Sequence, residues 1–327
     1  FEVFMSGLPN IQSIWSISEH NFNEIALQLF QFQAKYNAVY AQYLKLIDKD
    51  PDSIEDYREI PFLPISFFKT HKVVSESFTS QAIFQSSSTT GTNTAKHNVK
   101  SLASYHQNCV RIIENQIGPV SHYEILGLLP NYLERQNSSL VSMVKYLMDS
   151  NTQEDSFYLY NHDALIQKIE QSTKPVLLFG VSFALLDFAD KYASKKPFTI
   201  IETGGMKGRK IEITKAEVYS TLQASFPQAT IRSEYGMTEL LSQAYSDASA
   251  RYTCPPWMKV LARADNDPLS NKANGRTAAL NIIDLANLHS CAFIAADDLG
   301  QVFPDGSFEV TGRMDHSDVR GCSLMVV

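Results

Sequence analysis

Cysteine is scarce in this chain, at four among 327 residues, and the four (Cys109, Cys254, Cys291, Cys322) lie far apart with no CxxC pair. That excludes a disulfide scaffold and any zinc site of ordinary spacing, so reduced thiols in a cytoplasmic protein are expected, most of them inert core residues. Blocks of Lys or Arg are also missing. The 28 basic and 35 acidic residues leave a formal net charge of −7, a balance that argues against a nucleic-acid surface. Apolar runs such as Pro175-Val-Leu-Leu-Phe179 are far too short for a bilayer, so no transmembrane segment is expected. The first residues, FEVFMSGLPN, have neither a basic region nor a continuous apolar core, and no signal peptide is read there. No internal repeat or low-complexity linker interrupts the chain.

What is present fits a globular enzyme: 44% apolar and 19% charged residues, in a chain long enough for one large domain or two ordinary ones. Residues 19–48 carry apolar side chains at near-helical spacing (Phe22, Ile25, Leu27, Phe30, then Tyr40, Tyr43, Leu44), which predicts one or two amphipathic helices with an aromatic core stripe. Glu59-Ile-Pro-Phe-Leu-Pro64 then breaks helical structure. From residue 82 strands alternate with helices. Strands are predicted at 82–84, 124–129, 176–179, 198–202 and near 229–233, and helices at 101–117, 138–150, 163–171, 181–194 and 214–225. This pattern implies an α/β fold with a mostly parallel sheet and covering helices. Beyond residue 256 short β-like runs take over (258–263, 277–284, 291–296, 301–303, 307–312), with a tight-turn signal at Pro304-Asp-Gly306. The expected organisation is an α/β body with N-terminal helices over 1–255 and an antiparallel β-rich part over 256–327.

Four stretches carry candidate chemistry. FQSSSTTGTNTAKH (84–97) concentrates small donor-rich residues, Ser87, Ser88, Thr89, Thr90, Gly91 and Thr92, shortly before Lys96. It does not fit the Walker pattern. Converging backbone N–H groups and hydroxyls would nonetheless wrap an anion, with Lys96 beside it; a solvated loop is the plain alternative. Ile200-Ile-Glu-Thr-Gly-Gly-Met206 puts Gly204 and Gly205 at the C-terminal end of a buried strand, where open α/β sheets bind flat ligands. Ser233-Glu-Tyr-Gly-Met-Thr-Glu239 follows another strand. Tyr235 offers a ring to a base, Gly236 and Met237 carry the turn, Thr238 offers a hydroxyl to phosphate, and Glu239 is a hard oxygen ligand for Mg²⁺. A capping arrangement, with Thr238 opening a helix over 239–246, would use the same residues. In Ala296-Asp-Asp-Leu-Gly300 and Val310-Thr-Gly-Arg-Met-Asp-His-Ser-Asp-Val-Arg-Gly-Cys322, a carboxylate would hold ribose hydroxyls and Arg313 would meet phosphate with planar donors.

In this order the stretches resemble the motif succession of adenylate-forming enzymes. SSSTTGTNTAK resembles their phosphate loop, although Ser88 stands where many members have glycine. YGMTE matches their YGxTE, Asp297-Asp298-Leu-Gly resembles their TGDLG with Asp298 at the ribose carboxylate, and GRMDHSDVRG resembles their hinge motif with Arg313 and Asp315. The narrower resemblance, nearly end to end from IPFLPISFFKTHKV (60–73) to SDVRGCSL (317–324), is to the acyl-protein synthetases of the LuxE-like branch.

That resemblance implies the large N-terminal-type domain of adenylate-forming enzymes, with residues 256–327 completing an ATP site and the mobile C-terminal subdomain absent, since 12 residues follow Asp315. It implies ATP and Mg²⁺ as cofactors and a carboxylic, fatty-type acid as substrate, activated as an acyl-adenylate and passed to a protein thiol. Lys96, Glu239 and Arg313 would be catalytic. Cys322 matches the cysteine that carries the acyl group, though its surroundings also read as a terminal strand that would bury it. An acyl-accepting reductase or carrier protein is the implied partner. A ligase loading a smaller carboxylate onto CoA or a carrier protein, or a catalytically idle nucleotide-binding subunit, remain as alternative readings.

Overall fold

The computed structural model describes residues 9–86, 94–130, 136–204, 213–264, 267–271 and 276–314. The N-terminal part is helical: α1 (Ile11–Trp15), α2 (Phe22–Tyr36) and α3 (Ala38–Leu46). Asn37 separates the last two. Its backbone leaves the helical region (φ −96°, ψ 102°), and its side chain accepts from the Tyr40 amide to cap α3. The aromatic stripe of both helices is core, with Phe30 packed edge-on against Tyr40 and Phe293. The proline-bracketed segment then forms β1 (Leu63–Pro64) and a single turn, α4 (Phe67–Thr70).

The α/β body follows. It comprises β2 (Ala82–Gln85), β3 (Lys96–Val99), α5 (Leu102–Gln116), β4 (Glu124–Leu128), α6 (Ser139–Ser150), α7 (His162–Gln171), β5 (Val176–Gly180), α8 (Ser182–Ala189), β6 (Thr199–Glu202), α9 (Lys215–Ser225) and β7 (Thr230–Tyr235). The remaining strands are β8 (Ala244–Ser246), β9 (Tyr252–Thr253), β10 (Met258–Ala264), β11 (Asp267–Asn271), β12 (Thr277–Asp284), β13 (Phe293–Val302) and β14 (Phe308–Arg313). One sheet runs in the order β11-β10-β12-β13-β14-β9-β8-β7-β6-β5-β4, with β1 beside β13. Only β4 to β7 pair in parallel along this order; from β7 onward every pairing is antiparallel. The parallel strands are buried on both faces. Leu177, Phe179 and Ile201 pack with α5 and α6, whereas Leu178, Ile200 and Ile231 pack with α7, α8 and α9. The mixed α/β sheet agrees with the expected fold class.

Several elements differ from the sequence expectation. β2 does not join the main sheet but forms a hairpin with β3, in register Gln85↔Lys96. The separate runs at 291–296 and 301–303 are one ten-residue strand, β13, whose register shifts between Leu299 and Gly300. The polar centre of that strand concealed its continuity. Helix α8 stops at Ala189, where the Ser225 hydroxyl takes the Ala189 carbonyl at 2.8 Å. The Pro304-Asp-Gly306 turn is present, with Gly306 at φ +82°. Among the described residues no helix is long and apolar enough to cross a membrane.

Gly300 marks the bulge, and a Cβ there would lie 2.1 Å from the Glu309 carbonyl oxygen and 3.1 Å from Leu280 Cδ1. Gly300→Ala is expected to destabilise the protein by about 1–3 kcal/mol or more, through forced strand separation. Gly312→Ala, where nothing lies within 4 Å of the added carbon, is the control. Equal urea midpoints for the two variants would show that the bulge tolerates a side chain.

Candidate active site

The site forms where the parallel strands end and the sheet changes direction. After β7 the chain bends through Gly236–Gln243 and returns as β8, with Glu234 opposite Tyr245 and Tyr235 opposite Ala244. The helix expected over 239–246 does not form. Its amides are claimed from outside: Asp284, completely buried at the end of β12, accepts from the Leu241 and Ser242 amides at 2.8 and 2.9 Å and from the Ser242 hydroxyl at 2.7 Å. Two further side chains hold the bend by its carbonyls. His97 Nδ1 donates to the Thr238 oxygen at 2.8 Å, and Asn287 Nδ2 to the Glu239 oxygen at 2.8 Å. His97 is buried, which pushes its pKa down to about 4 and keeps the ring neutral. With a carbonyl as partner, that neutral ring must carry its proton on Nδ1. The same strand, β3, begins at exposed Lys96, so the hairpin that bears the hydroxyl-rich segment is moored to the bend.

Across from the bend, β13 and β14 bring Asp298 directly opposite Arg313. Tyr235 Oη donates to Asp298 Oδ2 at 2.8 Å, and Arg313 Nε to Asp298 Oδ1 at 3.2 Å. The Tyr235 ring is enclosed by Tyr252 and Phe308, with centroids 5.7 and 5.1 Å away, so the face expected to stack on a base is largely spent on core contacts. The Arg313 side chain is 70% exposed and the Asp298 side chain 10%. Its guanidinium is thus anchored through one nitrogen while the rest faces outward. Glu239 is buried nearby, and desolvation lifts its carboxyl to about 7 against the opposing pull of Arg313 and Lys69. Among the described residues no group of three or more His, Cys, Asp or Glu could hold a metal ion. Glu239, with the Asp298 carboxylate near enough to raise its pKa, is of the ligand type that Mg²⁺ takes one or two of beside phosphates and water.

A second buried carboxylate shapes the neighbouring strand end. Glu202 accepts from the Ser182 hydroxyl, from the Gly204 amide at 2.7 Å and from the Ser233 hydroxyl at 2.6 Å, and Lys215 lies 3.5 Å away. Gly204 suits glycine because its φ is +74°, a left-handed conformation that side chains rarely adopt. On the opposite face of β7, Glu234 points toward α5. Its carboxyl is lifted to about 8, chiefly by burial, with Glu202 adding and Lys215 opposing.

The structure brings together Gly236, Met237, Thr238 and Glu239 on the bend, Tyr235 with Asp298 and Arg313, and Lys96 at the hairpin base. Ser87, Ser88, Thr89, Thr90, Gly91, Thr92, Gly205 and Cys322 lie outside the described residues. The residues that sequence reasoning missed are Asp284, Asn287, His97, Glu202 and Glu234. His97, Glu202 and Glu234 lie inside the stretches singled out above but were passed over for their neighbours, whereas Asp284 and Asn287 are polar residues outside every such stretch.

Among solved structures, ATP-bound MatB from Rhodopseudomonas palustris matches with 14% identity and a TM-score of 0.54, over 73% of this chain and 49% of that one. The amide bond synthetase McbA from Marinactinospora thermotolerans matches with 15% identity and a TM-score of 0.52, over 75% and 50%. A long-chain-fatty-acid-CoA ligase, FadD1 from Archaeoglobus fulgidus, matches with 14% identity and a TM-score of 0.51, over 71% and 51%. At such identities the likeness establishes the fold, that of the adenylate-forming enzymes, and this chain spans about half the length of those structures. Residues 12–327 match the family described as acyl-protein synthetase, LuxE, and the chain belongs to that family. No curated protein matches it in sequence.

The Glu234 carboxyl makes stability depend on pH. Because its pKa rises from 4.5 to about 8 on folding, the folded protein holds that proton more tightly than the unfolded chain. The resulting stabilisation is complete below about pH 4.5 and is lost as the pH climbs through about 8. Glu234→Gln is therefore expected to gain thermal stability relative to the wild type between about pH 5 and about pH 8.5, measured by calorimetry. A constant offset between the two proteins across that range would refute it.

Proposed function

We propose that this protein activates a carboxylic acid, of fatty type, as an acyl-adenylate and passes the acyl group to a protein thiol. The observation that carries this reading is the convergence of Tyr235 at the end of β7, Asp298 in the middle of β13 and Arg313 at the end of β14, beside buried Glu239. In this reading residues 1–255 form the nucleotide- and acyl-binding body, and residues 256–327 complete the ATP site with Asp298 and Arg313. Asp298 holds ribose hydroxyls, since two carboxylate oxygens offer about four acceptor sites and the structure uses two. Arg313 meets phosphate with its outward nitrogens. Ser87 to Thr92 and Lys96 surround the remaining phosphates, and Gly204 and Gly205 let the flat base approach the backbone. Glu239 would hold Mg²⁺, a cation that takes one or two carboxylates beside substrate phosphates and would supply charge withdrawal there.

A carboxylate oxygen of the acid attacks the α-phosphorus of ATP, the bond to the bridging oxygen breaks, and pyrophosphate leaves. Arg313, Lys96 and the loop donors oppose the charge that develops on the phosphate oxygens. A thiolate sulfur then attacks the acyl carbonyl, and AMP departs with the electron pair of the broken C–O bond. None of the three described cysteines is primed for this. Burial raises Cys254 and Cys291 to about 12 and drives Cys109 further up, which suppresses the thiolate. Cys322, which the family resemblance puts at the acyl-carrying cysteine, is the acceptor within the chain in this reading, ahead of a reductase or carrier protein as final acceptor.

The first test is ATP–pyrophosphate exchange with a chain-length series of acids. Exchange is expected with the wild type, and Arg313→Ala and Glu239→Gln should each lower it by about 100-fold or more. Absence of exchange with every acid would leave a nucleotide-binding subunit without this chemistry. The second is intact mass after incubation with ATP, Mg²⁺ and acid. An ATP-dependent, hydroxylamine-labile adduct that disappears in Cys322→Ser is expected. Acyl transfer only to added CoA, with no protein adduct, would make the chain a CoA ligase instead.

A further inference from the structure

The segment that carries α4 is fixed in place at three points. Before it, β1 runs parallel to β13, with Leu63 opposite Ile294 and Pro64 opposite Ala295, and the Ile65 amide extends the ladder to the Ala295 carbonyl at 3.0 Å. After it, the Ser290 hydroxyl donates to the Val73 carbonyl at 3.1 Å and the Ser75 hydroxyl to the Ser290 carbonyl at 2.7 Å. Between the two, Phe68 is buried and sets its ring edge-on against His97 of β3, with centroids 5.9 Å apart.

These contacts wedge α4 against the site from the β3 side. His97 is the residue that grips the Thr238 carbonyl, one position before Glu239, and Ala295 lies three residues before Asp298 on β13. One helical turn is marginal alone, but clamped at both ends it gives its side chains a fixed origin. Lys69 directly follows Phe68. It is exposed, and among the described residues its ammonium forms no hydrogen bond or ion pair. Its charge nevertheless acts on the Glu239 carboxyl more strongly than that of Asp298 does, in keeping with the packing. A lysine held on a rigid turn with its ammonium unclaimed is suited to an anion arriving at the bend, which it meets as a point charge on a flexible stem.

We propose that Lys69 is a catalytic residue that meets the β- and γ-phosphates of ATP and opposes the charge carried away by pyrophosphate. The inference rests on the acid-activation reading above and adds a residue to it. As the acid's carboxylate oxygen bonds to the α-phosphorus, the bond from that phosphorus to the bridging oxygen breaks and its electron pair leaves on pyrophosphate. Lys69 keeps its proton throughout and supplies charge alone. Arg313 and Lys69 thus divide the phosphates. Arg313 is tethered to Asp298 and serves the phosphate next to the ribose, while untethered Lys69 serves the two that depart.

The test is equilibrium binding of ATP with Mg²⁺, and of AMP, to the full chain by calorimetry, alongside ATP–pyrophosphate exchange. Lys69→Met is expected to weaken ATP binding by about tenfold or more and to leave AMP, which lacks the two outer phosphates, within about twofold. Exchange should fall by about 100-fold in kcat, and Lys69→Arg should recover most of both losses. Lys72→Met, an exposed lysine of the same segment, is the control and should change neither. Equal weakening of ATP and AMP by Lys69→Met makes Lys69 a support of the fold and overturns the proposal, as does an equal loss in Lys72→Met. Unchanged ATP binding and exchange in Lys69→Met also overturn it. No exchange by the wild type with any acid overturns acid activation, whereas the ATP–AMP comparison still decides the phosphate contact. Failure of the wild type to bind ATP overturns both.

Discussion

Asp284 lies wholly inside the protein at the end of β12, and four donors converge on its carboxylate: the amides of Leu241, Ser242 and Ala286 and the hydroxyl of Ser242. Burial still raises its pKa, so the hydrogen bonds offset the desolvation only in part. Around this point Asn108 of α5 holds the Leu241 carbonyl, Trp15 donates to Asn108, and Trp257 donates to the Ser242 hydroxyl. Helical, parallel and antiparallel parts therefore meet at one bend. A buried charge with all its partners in place fixes geometry tightly, because losing any one of them strands a polar group away from water. The position of Glu239 relative to Asp298 and Arg313 follows from that anchorage.

The division of β7 into two chemical faces depends on the same constraint. Strand alternation puts Ser233 and Tyr235 on one side and Arg232 and Glu234 on the other, and a one-residue slip would exchange the contacts with Glu202 and Asp298 for the α5 contacts. The antiparallel pairing with β8 pins the register just before the bend. Two carboxylates, Glu202 and Glu234, thereby sit near each other under opposite conditions. Glu202 has three hydrogen-bond donors and Lys215 beside it, while the Glu234 carboxyl is raised to about 8, chiefly by burial.

The long periodic elements were legible in the sequence. The predicted strand at 277–284 is β12, and the helices over 101–117, 138–150 and 214–225 are present within a residue at each end, because apolar spacing alone determines which face is buried. β3 was not legible: Lys-His-Asn-Val carries two polar residues, His97 and Asn98, that are buried only because α4 and the bend pack on them. The helix expected over 239–246 failed for a related reason, since local capping signals lost to the distant carboxylate of Asp284. At the site, Tyr235, Asp298 and Arg313 were recognisable as motif residues, and their convergence is a property of the sheet. The groups that hold the bend had no spacing to betray them. Their partners lie far away along the chain, as Asn287 and Glu239 do.

The pairing of β1 with β13, and the Gln33 side chain that donates to the Asn287 carbonyl and accepts from the Ala292 amide, have a consequence for synthesis. The N-terminal helices expose an aromatic stripe whose proper cover, including Phe293, is translated more than two hundred residues later. At roughly 5–20 residues per second the ribosome leaves that stripe without its native partner for on the order of 10–50 s. Loop closure over such a span is entropically late. These helices are thus made long before their cover, and their aromatic surface stays open on the nascent chain until β13 emerges.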